Sequence, residues 1–214
     1  MTTEPGYYDN ERPEVAALVP RGSGVVLDVG CGAGRLGARL KRDGLADAVH
    51  GIERAPEAVA MARNVLDEVF DVDLESAAGL ASLSQRTGVY DVVILADVLE
   101  HLRDPWRALP ALVDTLKPNG VVVASIPNVR VVSVVVPLLL RGRFAYRDYG
   151  VLDRTHLRFF TRESATAMLL GAGLTIEHVG RAQAHWRRGW KKVVGDRLGD
   201  LGAEQFLFRA RRRP

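Results

Sequence analysis

Short, nearly continuous apolar runs alternate along this chain with longer segments that carry one apolar stripe. Val25-Val26-Leu27-Asp28-Val29 reads as a central strand, because β-branched and apolar side chains with a single acid suit a strand covered on both faces. Three alternating glycines follow, Gly30, Gly32 and Gly34, and a helical stripe with Leu36 and Leu40 starts directly after them. Asp47 to Ile52 reads as a second strand and Val69 to Leu74 as a third, or its edge. Between them a helix is entered at Pro56 and carried by Val59, Met61, Ala62 and Leu66. Tyr90 to Ala96 reads as a buried fourth strand, and Asp104-Pro105 opens a helix with Leu109, Leu112, Val113 and Leu116. Val121 to Ile126 is a fifth strand, set off by the turn Lys117-Pro118-Asn119-Gly120 and stopped by Pro127. Strands that alternate with helices in this way predict a parallel α/β sheet.

The pattern changes after Asn128. Val131 to Leu140 is strongly apolar, yet Arg130 and Arg141 bound it well short of the ~20 residues of a membrane span. Two readings stay open: a buried helix, or a lid whose apolar face covers a substrate, with Pro137 bending it. Residues 142–153 are turn-rich and aromatic, with Phe144, Tyr146 and Tyr149. Thr161 is placed to cap a helix ending at Gly171-Ala172-Gly173. Leu174 to Val179 and Gln205 to Phe208 add two strands, and between them lies a basic aromatic run, His185 to Lys192, with Trp186 and Trp190. With no repeat and no low-complexity linker, residues 1–214 read as one domain in which 129–160 form a lid and acceptor-site insert.

Composition narrows the class. Hydrophobic residues make up 47% and charged residues 26%, as in ordinary globular proteins. The single cysteine, Cys31, excludes an intrachain disulfide, and Met1 to Gly6 has neither the basic start nor the apolar core of a signal peptide. A cytoplasmic location is expected. The formal net charge is +3. Its excess gathers toward the end, at Arg181, Arg187, Arg188, Lys191, Lys192, Arg197, Arg209, Arg211, Arg212 and Arg213. Such a run reads first as a solvated arginine-rich end and only second as a nucleic-acid surface.

The glycine spacing carries the first chemistry. A dinucleotide fingerprint, G-x-G-x-x-G, would need glycine at position 35, where this chain has Arg35. The pattern here is G-x-G-x-G, with Asp28 two residues before its first glycine. Glu53 ends the second strand about 20 residues on, where an acid typically accepts hydrogen bonds from a ribose diol.

Asp28-Val29-Gly30-Cys31-Gly32-Ala33-Gly34 resembles motif I of the class I S-adenosylmethionine (AdoMet) methyltransferases. By that resemblance Glu53, with Arg54 beside it, meets the ribose. Asp73-Leu74 is similar to the pair that holds the adenine, and Ala96-Asp97 begins the segment that lines the methionine arm. Tyr8 and Arg12 from the N-terminal segment complete the expected cofactor set, with Arg12 or Arg35 at the amino-acid end. Asp153-Arg154-Thr155-His156-Leu157-Arg158-Phe159-Phe160-Thr161 resembles a D-x-T-H-L-R-F-F-T signature of a small-molecule subgroup that accompanies polysaccharide and glycoside biosynthesis. The resemblance implies a Rossmann-like, mostly parallel seven-stranded sheet with helices on both faces and the last strand antiparallel. It also implies AdoMet as cofactor and S-adenosylhomocysteine as product.

Methyl transfer is an in-line displacement, so the protein must align the reactants and exclude water; positioning alone can supply about 7–11 kcal/mol. A positioned base speeds attack by an oxygen nucleophile, and His156 and His101 are the candidates, each with a purely structural role as its alternative. Asp153, separated from His156 by two residues, is a candidate orienting group. Asn128, Phe144, Tyr146, Tyr149, Asp153 and His156 are the expected acceptor-side residues, with the apolar 131–140 stretch as further wall. Asp97, Glu100, His101 and Asp104 read as solvated loop groups, so no metal is expected. The leading expectation is an O-methyltransferase for a sugar, glycoside or natural-product hydroxyl, as a monomer or homodimer without a membrane span. The alternatives are an RNA methyltransferase using the basic aromatic region and a non-catalytic AdoMet-binding module.

Overall fold

The computed structural model describes residues 11–182 and 198–213. Tyr8 and the basic aromatic run 185–192 therefore lie outside the described residues.

The elements in chain order are α1 (Pro13–Ala16), β1 (Ser23–Val29), α2 (Arg35–Arg42), β2 (Ala46–Ile52), α3 (Pro56–Ala62), β3 (Glu68–Phe70), α4 (Ala77–Ser82), β4 (Tyr90–Ala96), α5 (Pro105–Asp114), β5 (Leu116–Pro127), α6 (Val132–Arg141), α7 (Arg162–Gly171), β6 (Leu174–Ala182) and β7 (Gln205–Arg212). Seven strands form one sheet in the order β3-β2-β1-β4-β5-β7-β6. β7 runs antiparallel to both of its neighbours, and the pairings among β1 to β5 are parallel. The expected architecture is present.

Period-two alternation sorts each central strand onto two cores. Leu27, Val29, Val93, Leu95, Val122 and Ala124 face one layer, packed with Leu109 and Leu112 of α5 and Met168 and Leu169 of α7. Val26, Val92, Ile94, Val121 and Val123 face the other, packed with Val15 of α1 and Leu36 and Leu40 of α2. Local signals hold where they were read. Pro opens α3 and α5, and Thr161 and Ser164 form a reciprocal capping box at α7.

Four expectations change. β3 stops at Phe70, because its ladder partner β2 ends at Ile52; Glu53 N donates to Phe70 O at 3.2 Å and the chain then turns through Asp73. The Lys117 to Gly120 turn sits inside β5, as a bulge between the pairs Tyr90–Leu116 and Val92–Val121, with Asn119 at φ +65°. Of the arginines at the C-terminal end, Arg181, Arg209, Arg211 and Arg212 are strand residues, and the basic residues from 187 to 197 lie outside the described residues. Arg209 and Arg211 both bond Glu177, and Arg212 pairs with Asp114 at 3.2 Å, so they clasp the sheet edge instead of forming a solvated tail. Finally, the apolar 131–140 stretch is capped by buried Val131 and continues as helix α6, in which only Val134 is buried. It packs through Val131 and Val134 against Leu152, with Phe144 and Phe159 alongside, and its last turn stands in solvent.

Candidate active site

Parallel strands deliver their C-terminal ends to one edge, where ligands of such sheets bind. The glycine turn lies there. Gly30 N and Cys31 N both donate to Ile52 O, at 2.7 and 3.1 Å, tying the end of β1 to the end of β2. Gly30, Gly32 and Gly34 adopt φ of +67°, +54° and +78°. That region strains any residue with a Cβ, and a Cβ on Gly34 would stand 2.7 Å from Val65.

Glu53 is held by this turn and holds it in return. One carboxylate oxygen accepts from Gly32 N at 3.0 Å, and the other accepts from Arg54 N at 2.7 Å and Ala55 N at 2.9 Å. Arg54 pairs with Asp73 at 3.0 Å, and Asp73 Oδ1 also accepts from Glu75 N at 3.0 Å, which closes the turn that carries buried Leu74. Cys31 is buried, and burial followed by the charges of Asp28 and Glu53 pushes its thiol far up, so it packs as a small apolar group.

Asp28 is buried in β1, and its Oδ2 has no hydrogen-bond partner among the described residues. Burial pushes its carboxyl up to about 7, the Arg12 charge opposing and Glu53 adding. Unfolded, it titrates near 3.8, so the folded form keeps its proton through a window in which the unfolded chain loses it. Stability from this group is therefore full below pH ~4 and lost as the pH rises toward ~7. Asp28→Asn is expected to flatten that slope and raise stability at pH 8 by on the order of 1–3 kcal/mol, read from urea midpoints across pH. An unchanged slope would show that Asp28 ionises freely in the fold.

On the other side of the turn, Arg12 reaches across the ends of β4 and β5. It pairs with Asp97 at 2.6 Å and donates to Ser125 Oγ at 3.1 Å. Asp97, at φ +57°, also accepts from Ser125 Oγ at 3.2 Å and from Gln205 Nε2 at 2.8 Å. Ser125, at the end of β5, falls on the same strand-end edge as Asp97, whereas Gln205 carries no motif and its part in this network was invisible from the chain alone. Ala96, the last residue of β4, leads directly into it.

The two histidines come together. The His101 and His156 rings stand edge to face with centroids 4.7 Å apart. Each is oriented by a backbone carbonyl, His101 Nδ1 by Thr155 O at 3.3 Å and His156 Nδ1 by Val151 O at 3.1 Å. Asp153 does not contact the His156 ring through a hydrogen bond. Its Oδ1 accepts from Thr155 N and Thr155 Oγ1, at 2.8 and 2.7 Å, and these bonds outweigh burial to hold its carboxyl below the usual range.

Glu100 corrects the reading of this stretch as solvated loop acids. Its carboxylate is fully buried, neither oxygen has a hydrogen-bond partner among the described residues, and Oε1 lies 4.0 Å from His156 Nε2. Burial, then the charge of Asp97, holds it well above the usual carboxylate range. Its carbonyl accepts from Leu157 N at 2.8 Å and Arg158 N at 3.0 Å, which clamps the 153–158 loop onto the turn 99–101. Donor atoms of Glu100, His101 and His156 all fall within 4.8 Å of one another, a set that could hold a cation. Burial and His156 together lower the His101 pKa. Asp104 only caps α5, accepting from Arg107 N at 3.1 Å.

The acceptor-side residues divide. Phe144 stacks edge to face on Tyr146 and on Phe159, with centroids 5.6 Å apart in both pairs. Tyr149 is exposed and outside this cluster. Asn128 is a correction: fully buried, its amide donates to Asp200 O and Ala203 O at 2.7 and 2.9 Å, and its Oδ1 accepts from Arg130 N. Those bonds tie β5 to the approach of β7, so the side chain is structural. A groove of about 620 Å³ runs along α7 past Arg162, Thr166, Leu170 and Phe206; of the expected site residues only Asn128 borders it.

A model of the methyltransferase domain family matches residues 6–179. The chain belongs to the AdoMet-dependent methyltransferases. A ubiquinone biosynthesis O-methyltransferase of Xylella fastidiosa (strain 9a5c) is 32% identical over 184 residues, covering 81% of this chain and 70% of that enzyme. The enzyme of the same description from Xanthomonas axonopodis pv. citri (strain 306) is 34% identical over 185 residues, covering 80% and 71%. A solved SAM-dependent methyltransferase from Archaeoglobus fulgidus superposes with a TM-score of 0.65 at 16% identity, over 95% of each chain, and so shares the fold. This methyltransferase uses AdoMet as its methyl donor. Its residues suit that cofactor: the positive-φ glycines leave a close approach open, Glu53 faces the turn, and Asp28 keeps an unpartnered buried oxygen. No helix among the described residues is long and apolar enough to cross a membrane.

Proposed function

We propose that this methyltransferase methylates a hydroxyl of a small molecule, with His156 taking the hydroxyl proton at Nε2. The observation that carries the reading is the Val151 contact. A carbonyl only accepts, so His156 Nδ1 holds the proton and Nε2 keeps its lone pair in the neutral ring. AdoMet supplies a methyl group on a positively charged sulfur, an electrophile that needs no further activation. Glu53 binds the ribose hydroxyls, and Asp73, beside Leu74, the adenine amine. Arg12 and Asp97, already paired, offer opposite charges to a zwitterionic amino-acid end. Phe144, Tyr146 and Phe159, beside Val131, Val134 and Leu152, form the apolar wall that orients the acceptor and excludes water.

The relatives' description as O-methyltransferases supports oxygen as the accepting atom. A sugar, glycoside or natural-product hydroxyl remains the proposed class. The basic aromatic run 185–192 on which the RNA alternative rests lies outside the described residues; of the basic residues beyond it, Arg209, Arg211 and Arg212 are engaged with Glu177 and Asp114. The test is release of S-adenosylhomocysteine with a panel of hydroxylated glycosides and phenols, the products located by mass fragmentation. Methyl ethers support the reading. Transfer confined to amines, carbon or RNA, or none from an AdoMet-bound protein, overturns it.

The buried, unpartnered Glu100 beside two histidines favours a second reading, a divalent cation held by Glu100, His101 and His156 against the acceptor oxygen. With His156 as a simple base, activity survives EDTA. Loss on chelation, with recovery on adding Mg²⁺ or Zn²⁺, reassigns the cluster to a cation.

A further inference from the structure

Of the twelve large hydrophobic side chains that stand in solvent among the described residues, seven gather in one segment. Residues 136–157 contain Val136, Leu138, Leu139, Leu140, Tyr146, Tyr149 and Leu157, all exposed. The three most exposed are Leu140 at 78%, Leu139 at 76% and Tyr149 at 74%. Three consecutive exposed leucines cover more than half of a helix circumference, so the last turn of α6 projects free of the body. An apolar projection of this kind needs a partner.

The charge around it says which one. Segment 129–158 carries Arg130, Arg141, Arg143, Arg147, Arg154 and Arg158 against Asp148 and Asp153. Six arginines against two aspartates give this segment more positive charge than the +3 of the whole chain. All six arginines are exposed, whereas Asp153 is buried on Thr155 and Asp148 is engaged by Arg154 at 3.4 Å. Leucines at a helix tip, with arginines and tyrosines around them, match the apolar edge and anionic headgroups of a lipid surface. A second copy would set the two arginine sets against each other, which disfavours self-association. The run 187–192 of this chain has the same sign.

We infer that the α6 tip docks this methyltransferase on an anionic membrane surface, with Leu139 and Leu140 entering the interface and Arg141, Arg143 and Arg147 meeting the headgroups. The inference does not depend on which acceptor atom is methylated. It adds that the segment bearing His156 opens toward a lipid surface, a position suited to amphiphilic acceptors.

The test is co-sedimentation of the full chain with vesicles of phosphatidylcholine alone and with vesicles holding about a third phosphatidylglycerol. Binding is expected only to the anionic vesicles and is expected to weaken with salt. Leu139→Ser/Leu140→Ser is expected to lower it roughly tenfold or more, and Arg141→Glu/Arg143→Glu to remove its lipid selectivity. Both pairs lie outside the cofactor cleft, so AdoMet titration confirms that the variants are folded. No binding to anionic vesicles by an AdoMet-competent protein overturns the inference. So does binding that neither pair changes, which would place the lipid contact elsewhere in the chain. Light scattering that shows a dimer dissolved by the leucine pair, with no vesicle binding, would assign the tip to a second copy.

Discussion

His156→Ala is expected to lower kcat by about 10²–10⁴-fold, the usual contribution of a positioned base, with AdoMet affinity nearly unchanged. The separation follows from placement. His156, on the signature loop, stands against Glu100 and His101 of the turn 99–101, while the glycine turn and Glu53 lie at the ends of β1 and β2. A structural role for the imidazole makes a different forecast, because the ring also ties the loop through Val151 O at 3.1 Å. His156→Asn separates the two. Its amide can replace the Nδ1 donor but offers no base at the Nε2 position. If rapid-quench or steady-state rates recover in His156→Asn, the base assignment falls. If both variants stay slow while their thermal midpoints match the parent, it stands.

Glu53→Ala is expected to weaken AdoMet binding by about 100-fold or more, measured by calorimetric titration. Hydrogen bonds to a charged carboxylate contribute ~1.5–3 kcal/mol each, and the variant loses those to the ligand. It also leaves three backbone N–H groups, of Gly32, Arg54 and Ala55, without the acceptor they share. The turn that must meet the cofactor is then less ordered before binding, a second loss in the same direction. Glu53→Gln should fall between, since its amide nitrogen cannot accept from Gly32 N. Unchanged affinity in a folded Glu53→Ala protein would remove Glu53 from the cofactor site.

Much of the fold was legible because its signals are local. Val25 to Val29, Tyr90 to Ala96 and Val121 to Ile126 each carry enough β-branched residues to name a buried strand, and Pro56, Asp104-Pro105 and Thr161 mark helix starts by backbone geometry alone. The glycines announced a positive-φ turn because few other residues tolerate one. The acids Glu53, Asp73 and Asp97 were placed correctly at the strand-end edge, since parallel topology dictates where strand ends go.

Other features depend on what a residue meets from far along the chain. Glu100 looks like any loop acid in sequence; it is buried because residues 155–158 fold back over it and bond its carbonyl. Asn128 looks available for a ligand until the approach to β7 arrives to take both of its amide protons. Arg209 to Arg212 looks like a tail until β6 supplies Glu177. The apolar 131–140 stretch was equally suited to a core or a lid, because hydropathy states a preference for burial without saying whether a partner is present. Sequence by itself determined the strands, the helix starts and the glycine turn, all written in short-range periodicity and backbone preference, while the cofactor class came from the resemblance of Asp28 to Gly34 to a known family's motif. The tertiary structure alone decided which acid is buried, which histidines meet and which leucines face outward, because burial and pairing are set by neighbours that the chain brings together only when it folds.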